Sequence, residues 1–217
     1  MLADDVAVLV MAKAPEPGQV TTRLVPPLSA GAAAVLAARM ARRTVVMAVD
    51  ADLGPVTLCC APDIDHDFFR LCARRHGVTL AGQGDGDLGQ RMLRALSAAL
   101  ERHRRVLLVG TDVPTVGADD LRAAANALTD GADVVLGPAI DGGYWLIGAR
   151  RVDASLFDGI AWSTPAVLAA TRARIAALGW RLTEIATHAD VDVPADLDRL
   201  RAAPSTAALL DGLVVAP

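Results

Sequence analysis

Residues 6–19 read VAVLVMAKAPEPGQ: six apolar side chains in succession, then a loop rich in turn formers. An apolar run without alternation marks a strand buried on both faces, and such strands belong to mostly parallel sheets with helices on either side. The loop that follows opens at the carboxyl end of the strand, where α/β sheets place their ligands. The pattern recurs at residues 106–110, VLLVG, ahead of Thr111-Asp112-Val113-Pro114. Further strands are expected at 56–61, 78–81, 132–137, 143–148 and 181–185. Helices are expected from Ser29 as N-cap to about Val49, and over about 65–75, 87–102, 118–128, 164–179 and 194–200. Arginines 39, 42 and 43 would line the solvated face of the first helix. Repeated strand and helix alternation gives an α/β class, and with no linker, charge block or internal repeat the expectation is one domain over residues 1–217.

Composition narrows the function classes. The chain has 217 residues, 53% of them apolar and 21% charged, with formal charge −4, enough for a full core. That mild acidity argues against binding nucleic acid by charge, which needs a basic stripe. Cys59, Cys60 and Cys72 have neither paired CxxC nor zinc-ligand spacing, which points away from disulfides and zinc and toward a reducing cytoplasm. The opening lacks the pattern of a signal peptide and no run reaches membrane-spanning length, so a cytoplasmic protein without membrane insertion is expected. Twenty of the 21 basic residues are Arg and only Lys13 is Lys, a hint that a compact ammonium is needed there.

Several loops carry candidate chemistry. Residues 12–24, AKAPEPGQVTTRL, resemble an anion cradle in which backbone N–H groups meet a ligand while Lys13 and Arg23 neutralise it; a merely solvated surface loop is the plain alternative. It is not a P-loop, and it contains no GxGxxG. Asp112 stands just past a buried strand, where it either faces a cation or caps the turn before Pro114. Asp190 and Asp192 project from one side if extended and suit Mg²⁺ or Mn²⁺, or else decorate the start of the closing helix with Asp196, for which that second role is favoured. The Asp141-Gly142-Gly143 turn either holds a ligand or is a tight turn with Tyr144 and Trp145 in the core. Residues 83–91, QGDGDLGQR, offer a helix start and Arg91 to an anion, or are a helix start alone. No histidine reads as a nucleophile's base, Ser163 and Thr164 look like helix caps, and no GxSxG elbow occurs.

Taken in order, MAKAPEPGQVTTRL, QGDGDLGQR, LLVGTDVPT, VVLGPAIDGGYWLIG, GIAWSTPAVL and DVDVPADL resemble a bacterial family assigned as glycosyltransferases, formerly a domain of unknown function, over about residues 6–200. That family is similar to the nucleotide-diphospho-sugar transferase superfamily, which also houses phospholactate and phosphoenolpyruvate guanylyltransferases. The resemblance implies a three-layer α/β/α sandwich with a mostly parallel mixed sheet. It implies nucleotide binding by Ala12, Lys13, Arg23, Gln83 and Thr111, a metal on Asp112, Asp190 and Asp192, and acceptor or sugar binding by Asp141, Gly142 and Gly143. Lys13, Asp112 and Asp141 would be the catalytic groups, Asp141 as base or acceptor anchor.

The expected reaction is metal-dependent transfer from a nucleotide sugar to a small-molecule acceptor. Nucleotidylyl transfer to a small phosphorylated acid is the first alternative, and a non-catalytic nucleotide-binding module the second. The chain departs from the family at Thr21, where a second lysine is common, and at Val193, where a threonine usually caps the closing helix and its loss should cost about 1 kcal/mol. Apolar residues at 207–215 would suit a homodimer.

Overall fold

A computed structural model describes residues 3–213. In chain order the elements are β1 (Ala3–Lys13), α1 (Ala30–Asp50), β2 (Val56–Ala61), α2 (Asp67–His76), β3 (Thr79–Gly82), α3 (Leu88–Leu100), β4 (His103–Val109), α4 (Ala118–Thr129), β5 (Val134–Pro138), β6 (Tyr144–Ala149), α5 (Val167–Ala177), β7 (Leu182–Glu184) and α6 (Pro194–Ala202).

Alternate residues of β1 serve two different cores. Val8 and Val10 enter one buried cluster, Ala7 and Leu9 another. β4 divides the same way, Leu107 and Val109 against Val106 and Leu108. An unbroken apolar run therefore means a strand with protein on both faces. The first cluster packs on α1, α2 and α4 through Val45, Phe69 and Leu121; the second packs on α3 and α5 through Leu96 and Ile175. These are the three layers.

The sheet has seven strands in the order β3-β2-β1-β4-β6-β5-β7. All pairings are parallel except those of β6, which runs antiparallel to β4 and β5. Reversal of β6 brings its amino end, with Tyr144, beside the carboxyl end of β4, where Gly110 N–H donates to Trp145 O at 3.0 Å. The loops after β1 and β4 and the β5–β6 turn thus meet along one edge, at the point where neighbouring strands stop following chain order.

Local expectations hold at most boundaries. Ser29 caps α1, accepting from Ala32 N–H at 3.1 Å, and Gly77 ends α2 with φ 68°. Four details differ. α5 begins at Val167, because Thr164 spends its hydroxyl on Ala161 O at 2.7 Å and Ala166 offers no side-chain cap. Arg39 and Arg43 are not simply solvated: Arg39 reaches Leu209 O and Asp211 O, each at 2.8 Å, and Arg43 reaches Pro114 O at 2.6 Å.

The apolar tail is the third difference. Leu210 is buried, and Leu209 and Leu213 pack with it beside α1 and α6, so this part of the tail contributes to a core. Val214 and Val215 lie outside the described residues. The fourth is the missing threonine cap at Val193. The reciprocal half of a helix cap is present: Asp196 reaches back from within the helix and accepts from the Asp192 and Val193 N–H groups at 2.8 Å each. No helix among the described residues is long and apolar enough to cross a membrane.

Candidate functional site

At the carboxyl edge of the sheet lies a cavity of about 670 Å³ lined by Ala12, Lys13, Arg23, Gln83, Thr111, Asp112, Asp141, Gly143, Asp190 and Asp192. Every site residue expected from the sequence is there except Gly142, which backs the turn beneath. Residues separated by as many as 180 positions meet because β1, β4, β5 and α6 all present their ends on this side.

The loop after β1 is shaped mostly by its own backbone. Ala14 N–H donates to Ala61 O at 2.7 Å and Gln19 N–H to Glu16 O at 3.0 Å. Lys13 is exposed and its Nζ donates to Gln19 O at 2.8 Å, so the ammonium closes the loop that it occupies. Thr21 sits in the left-handed region with φ 46°, and its hydroxyl donates to Ala33 O at 3.0 Å. Thr21, where the resemblance implies a lysine, therefore ties the loop to α1. Arg23 forms an ion pair with Asp192. Gln83 is buried and straps β1 to β2, its Nε2 donating to Ala12 O at 3.0 Å and to Cys59 O at 2.9 Å.

The acid-bearing segment is built differently. Val191 is buried, so Asp190 and Asp192 on either side of it share the cavity face, as two-residue periodicity requires. Val191 N–H donates to Asp112 O at 2.8 Å and joins this segment to the loop after β4. Asp196, itself buried, takes the next two N–H groups and pairs with Arg199 at 2.6 Å, while Arg199 also reaches Asp190 O at 3.0 Å. Asp196 is thus the residue that holds the acid pair in place, a role beyond the helix-dipole one expected for it. The signal was present: Pro at the first helical position with Asp two residues later is a helix-start pattern that reaches back over the preceding backbone.

Electrostatics distinguish the carboxylates. Surrounding protein raises the pKa of Asp112; Thr111 hydrogen bonding opposes this, and the negative charges of Asp192 and Asp190 add to it. By surface area the Asp112 side chain is open to the cavity, so water entering there tempers the burial effect. Asp190 is also raised, by burial first and then by Asp141. The cavity carries two cations and four carboxylates, an uncompensated excess of negative charge. Among the described residues no three His, Cys, Asp or Glu side chains converge as a ready metal cluster. Magnesium-type sites commonly use only one or two carboxylates and complete their shell with water and substrate phosphates, so the oxygen donors present suit such an ion.

Other candidates fall away from chemistry. Asp87 and Gln90 form a reciprocal cap at 2.8 and 3.0 Å, and Arg91 donates to Gly86 O at 2.9 Å, so residues 83–91 are accounted for as a helix start. Burial pushes the Cys59 and Cys60 thiols up to about 12, which leaves no thiolate at neutral pH. Trp145 is core, its Nε1 donating to Ala186 O at 3.2 Å. Asp141 Oδ1 accepts from Gly143 N–H at 2.8 Å, and the residue lines the cavity.

Residues 35–164, from α1 to the loop before α5, match the family described as "Uncharacterized protein conserved in bacteria (DUF2064)". The chain belongs to that family. Among solved structures, this DUF2064 protein is similar to a protein from Desulfovibrio desulfuricans G20 assigned as a nucleotide-diphospho-sugar transferase, with 27% identity, 96% of this chain and 94% of that one covered, and a TM-score of 0.82. The fold is shared with a nucleotidyl transferase from Methanothermobacter thermautotrophicus, at 18% identity, 92% and 97% coverage and TM-score 0.57. It is shared too with glucosyl-3-phosphoglycerate synthase from Mycobacterium tuberculosis, whose structure holds Mn²⁺, uridine diphosphate and glucosyl-3-phosphoglycerate, at 11% identity, 96% and 79% coverage and TM-score 0.55. No curated protein matches. The architecture is the nucleotide-diphospho-sugar transferase fold.

Proposed function

We propose that this DUF2064 protein is a transferase that takes a nucleotide-activated donor, and that its reaction is glycosyl transfer from a nucleotide sugar to a small hydroxyl acceptor. The observation that carries the reading is the convergence of Lys13, Arg23, Asp112, Asp141, Asp190 and Asp192 on one cavity. Its two cations suit a diphosphate, and its surplus carboxylates suit a divalent cation that must accompany so negative a ligand. Both ends of the chain, β1 and the segment entering α6, build this cavity, which supports one domain over residues 1–217.

In the proposed step the acceptor oxygen attacks the anomeric carbon, the bond from that carbon to the diphosphate oxygen breaks, and the electron pair leaves with the nucleoside diphosphate. Lys13 and Arg23 stabilise the charge that grows on the leaving oxygen. Asp141 takes the acceptor proton and releases it to water at the cavity mouth. Mg²⁺ or Mn²⁺, held by Asp112 with Asp190 or Asp192, supplies Lewis-acid screening of the diphosphate when bound. Burial of the Cys59 and Cys60 thiols favours direct displacement over a covalent thiol intermediate.

Thermal shifts with nucleotide sugars and nucleoside triphosphates, each with Mg²⁺ or Mn²⁺, test the donor. Selective, metal-dependent stabilisation by a nucleotide sugar and release of nucleoside diphosphate are the expected results. Pyrophosphate release from a nucleoside triphosphate would replace glycosyl with nucleotidylyl transfer, and nucleotide binding indifferent to metal and to Asp112→Ala would remove the metal-dependent mechanism.

A further inference from the structure

The charged residues account for only part of the cavity. It is lined as well by Met11, Leu88, Met92, Leu108, Tyr144 and Trp162. This wall is the open edge of the core layer beneath α3 and α5: Met92 and Leu108 are buried in that layer, and Met11, Tyr144 and Trp162 pack against it. Leu88, in the first turn of α3, leaves 44% of its surface exposed. A group of apolar side chains lining a cleft beside charged ones marks a ligand face.

Trp162 is fitted into this wall by the backbone around it. Gly89 faces the indole so closely that a Cβ there would lie 2.5 Å from Cζ2. Ser163, directly after the tryptophan, takes φ 62°, and the loop closes through Thr164 on Ala161. The same loop is joined to the Asp141–Gly143 turn: Leu168 N–H donates to Gly142 O at 2.9 Å, and a Cβ on Gly142 would meet Pro165 O at 2.3 Å. The aromatic ring and the carboxylate thus belong to two segments that pack backbone to backbone. The indole N–H is buried without a hydrogen-bond partner, so packing alone holds that edge and the ring can settle on a ligand face without breaking a bond.

We infer that this wall receives the acceptor, and that the acceptor is an alcohol carried on an apolar or aromatic body: its hydroxyl reaches Asp141 while its body lies on Trp162 and Leu88. This rests on the reading of the cavity as a transfer site. The donor's phosphates have Lys13 and Arg23 of the loop after β1 to meet them, which leaves the apolar side chains for the second substrate.

The chain has three tryptophans, so ¹⁵N-labelled protein gives three indole N–H signals, and Trp162→Phe assigns one of them. Benzyl alcohol and cyclohexanol should shift the Trp162 signal saturably, with affinity reduced about tenfold in Leu88→Asn. Glycerol, methyl α-glucopyranoside and the free nucleosides should leave it in place. A shift of equal size with glycerol or the glucoside would give the wall to polar ligands or to the donor's sugar, and one with nucleosides would give it to the base; each overturns the inference, as does silence toward both apolar alcohols. Gly89→Ala should displace the ring and abolish the response, the Trp145 and Trp180 signals reporting whether the fold survives; if it does not, the Leu88→Asn titration decides. Thermal shifts with nucleotides and Mn²⁺ run on the same samples separate the two readings. An intact nucleotide response without an alcohol shift sinks this inference alone, and loss of the nucleotide response sinks the transfer site itself.

Discussion

The two charged regions of the cavity are held by opposite means. Around residues 190–193 each backbone group facing Asp112, Asp196 or Arg199 is hydrogen-bonded to a partner from the protein interior or from α6, and Val191 anchors the stretch in the core. Around residues 13–23 the side chains that would meet a ligand are occupied with the protein itself: Lys13 with Gln19 O, Thr21 with Ala33 O, Arg23 with Asp192. The backbone that carries the acids is fixed, whereas on the proposed reading Lys13 and Arg23 would exchange partners to grip a polyanion, Arg23 releasing Asp192. Preorganised charge is the larger source of rate, and exchangeable charge sets affinity.

Asp112→Asn attacks the fixed side at its centre and should lower the transfer rate by about 100- to 1,000-fold, read as product formed per unit time at saturating donor. An unchanged rate would mean that the acidic side takes no part in the chemistry. Asp196→Ala leaves that chemistry intact but removes the clamp. Two backbone donors and Arg199 lose a buried carboxylate, so stability should fall by about 3 kcal/mol in urea unfolding, and amide exchange at Asp192 and Val193 should quicken. Slow exchange in that variant would show that Val191 alone fixes the segment.

Arg23→Gln tests the exchangeable side. Nucleoside diphosphate affinity should drop about tenfold by titration calorimetry, while affinity for Mn²⁺ alone holds or rises because Asp192 is released. A drop in both would make Arg23 a structural partner of the acids and erase the contrast. The smallest effect lies outside both regions, where Arg172 binds Glu184 at 2.5 and 2.8 Å and its hydrogen bonds hold the Glu184 carboxyl below the ordinary value of 4.5. A lowered pKa in the folded state stabilises above the unfolded value and is lost as pH falls through the folded one. Glu184→Gln should therefore be slightly less stable than the parent at pH 7 and equal to it at low pH, and this exposed pair should leave transfer untouched.

Much of the site was legible because its residues sit where a one-dimensional pattern reports them. Lys13 and Asp112 follow unbroken apolar runs, Asp190 and Asp192 flank an apolar residue at strand spacing, and Asp141 precedes paired glycines. What stayed hidden were the jobs that depend on a distant partner. Thr21 reads as a weakened phosphate ligand until its hydroxyl is found on Ala33; Arg39 and Arg43 read as solvated until Leu209 and Pro114 come within reach. Trp162 gave a fainter sign, an aromatic residue in a loop of a chain that is only 3% aromatic.

The sequence by itself determined the strands buried on both faces, the helices between them, and the edge of the sheet where charge would gather, because apolar periodicity and turn residues act over a few neighbouring positions. The tertiary structure alone decided which charges hold each other, that Asp196 fixes the acid pair, and that apolar side chains line the cavity beside the charged ones. Hydrogen bonds, ion pairs and desolvation depend on distances through space, and those exist only after the chain has brought β1, β4 and α6 to a common rim.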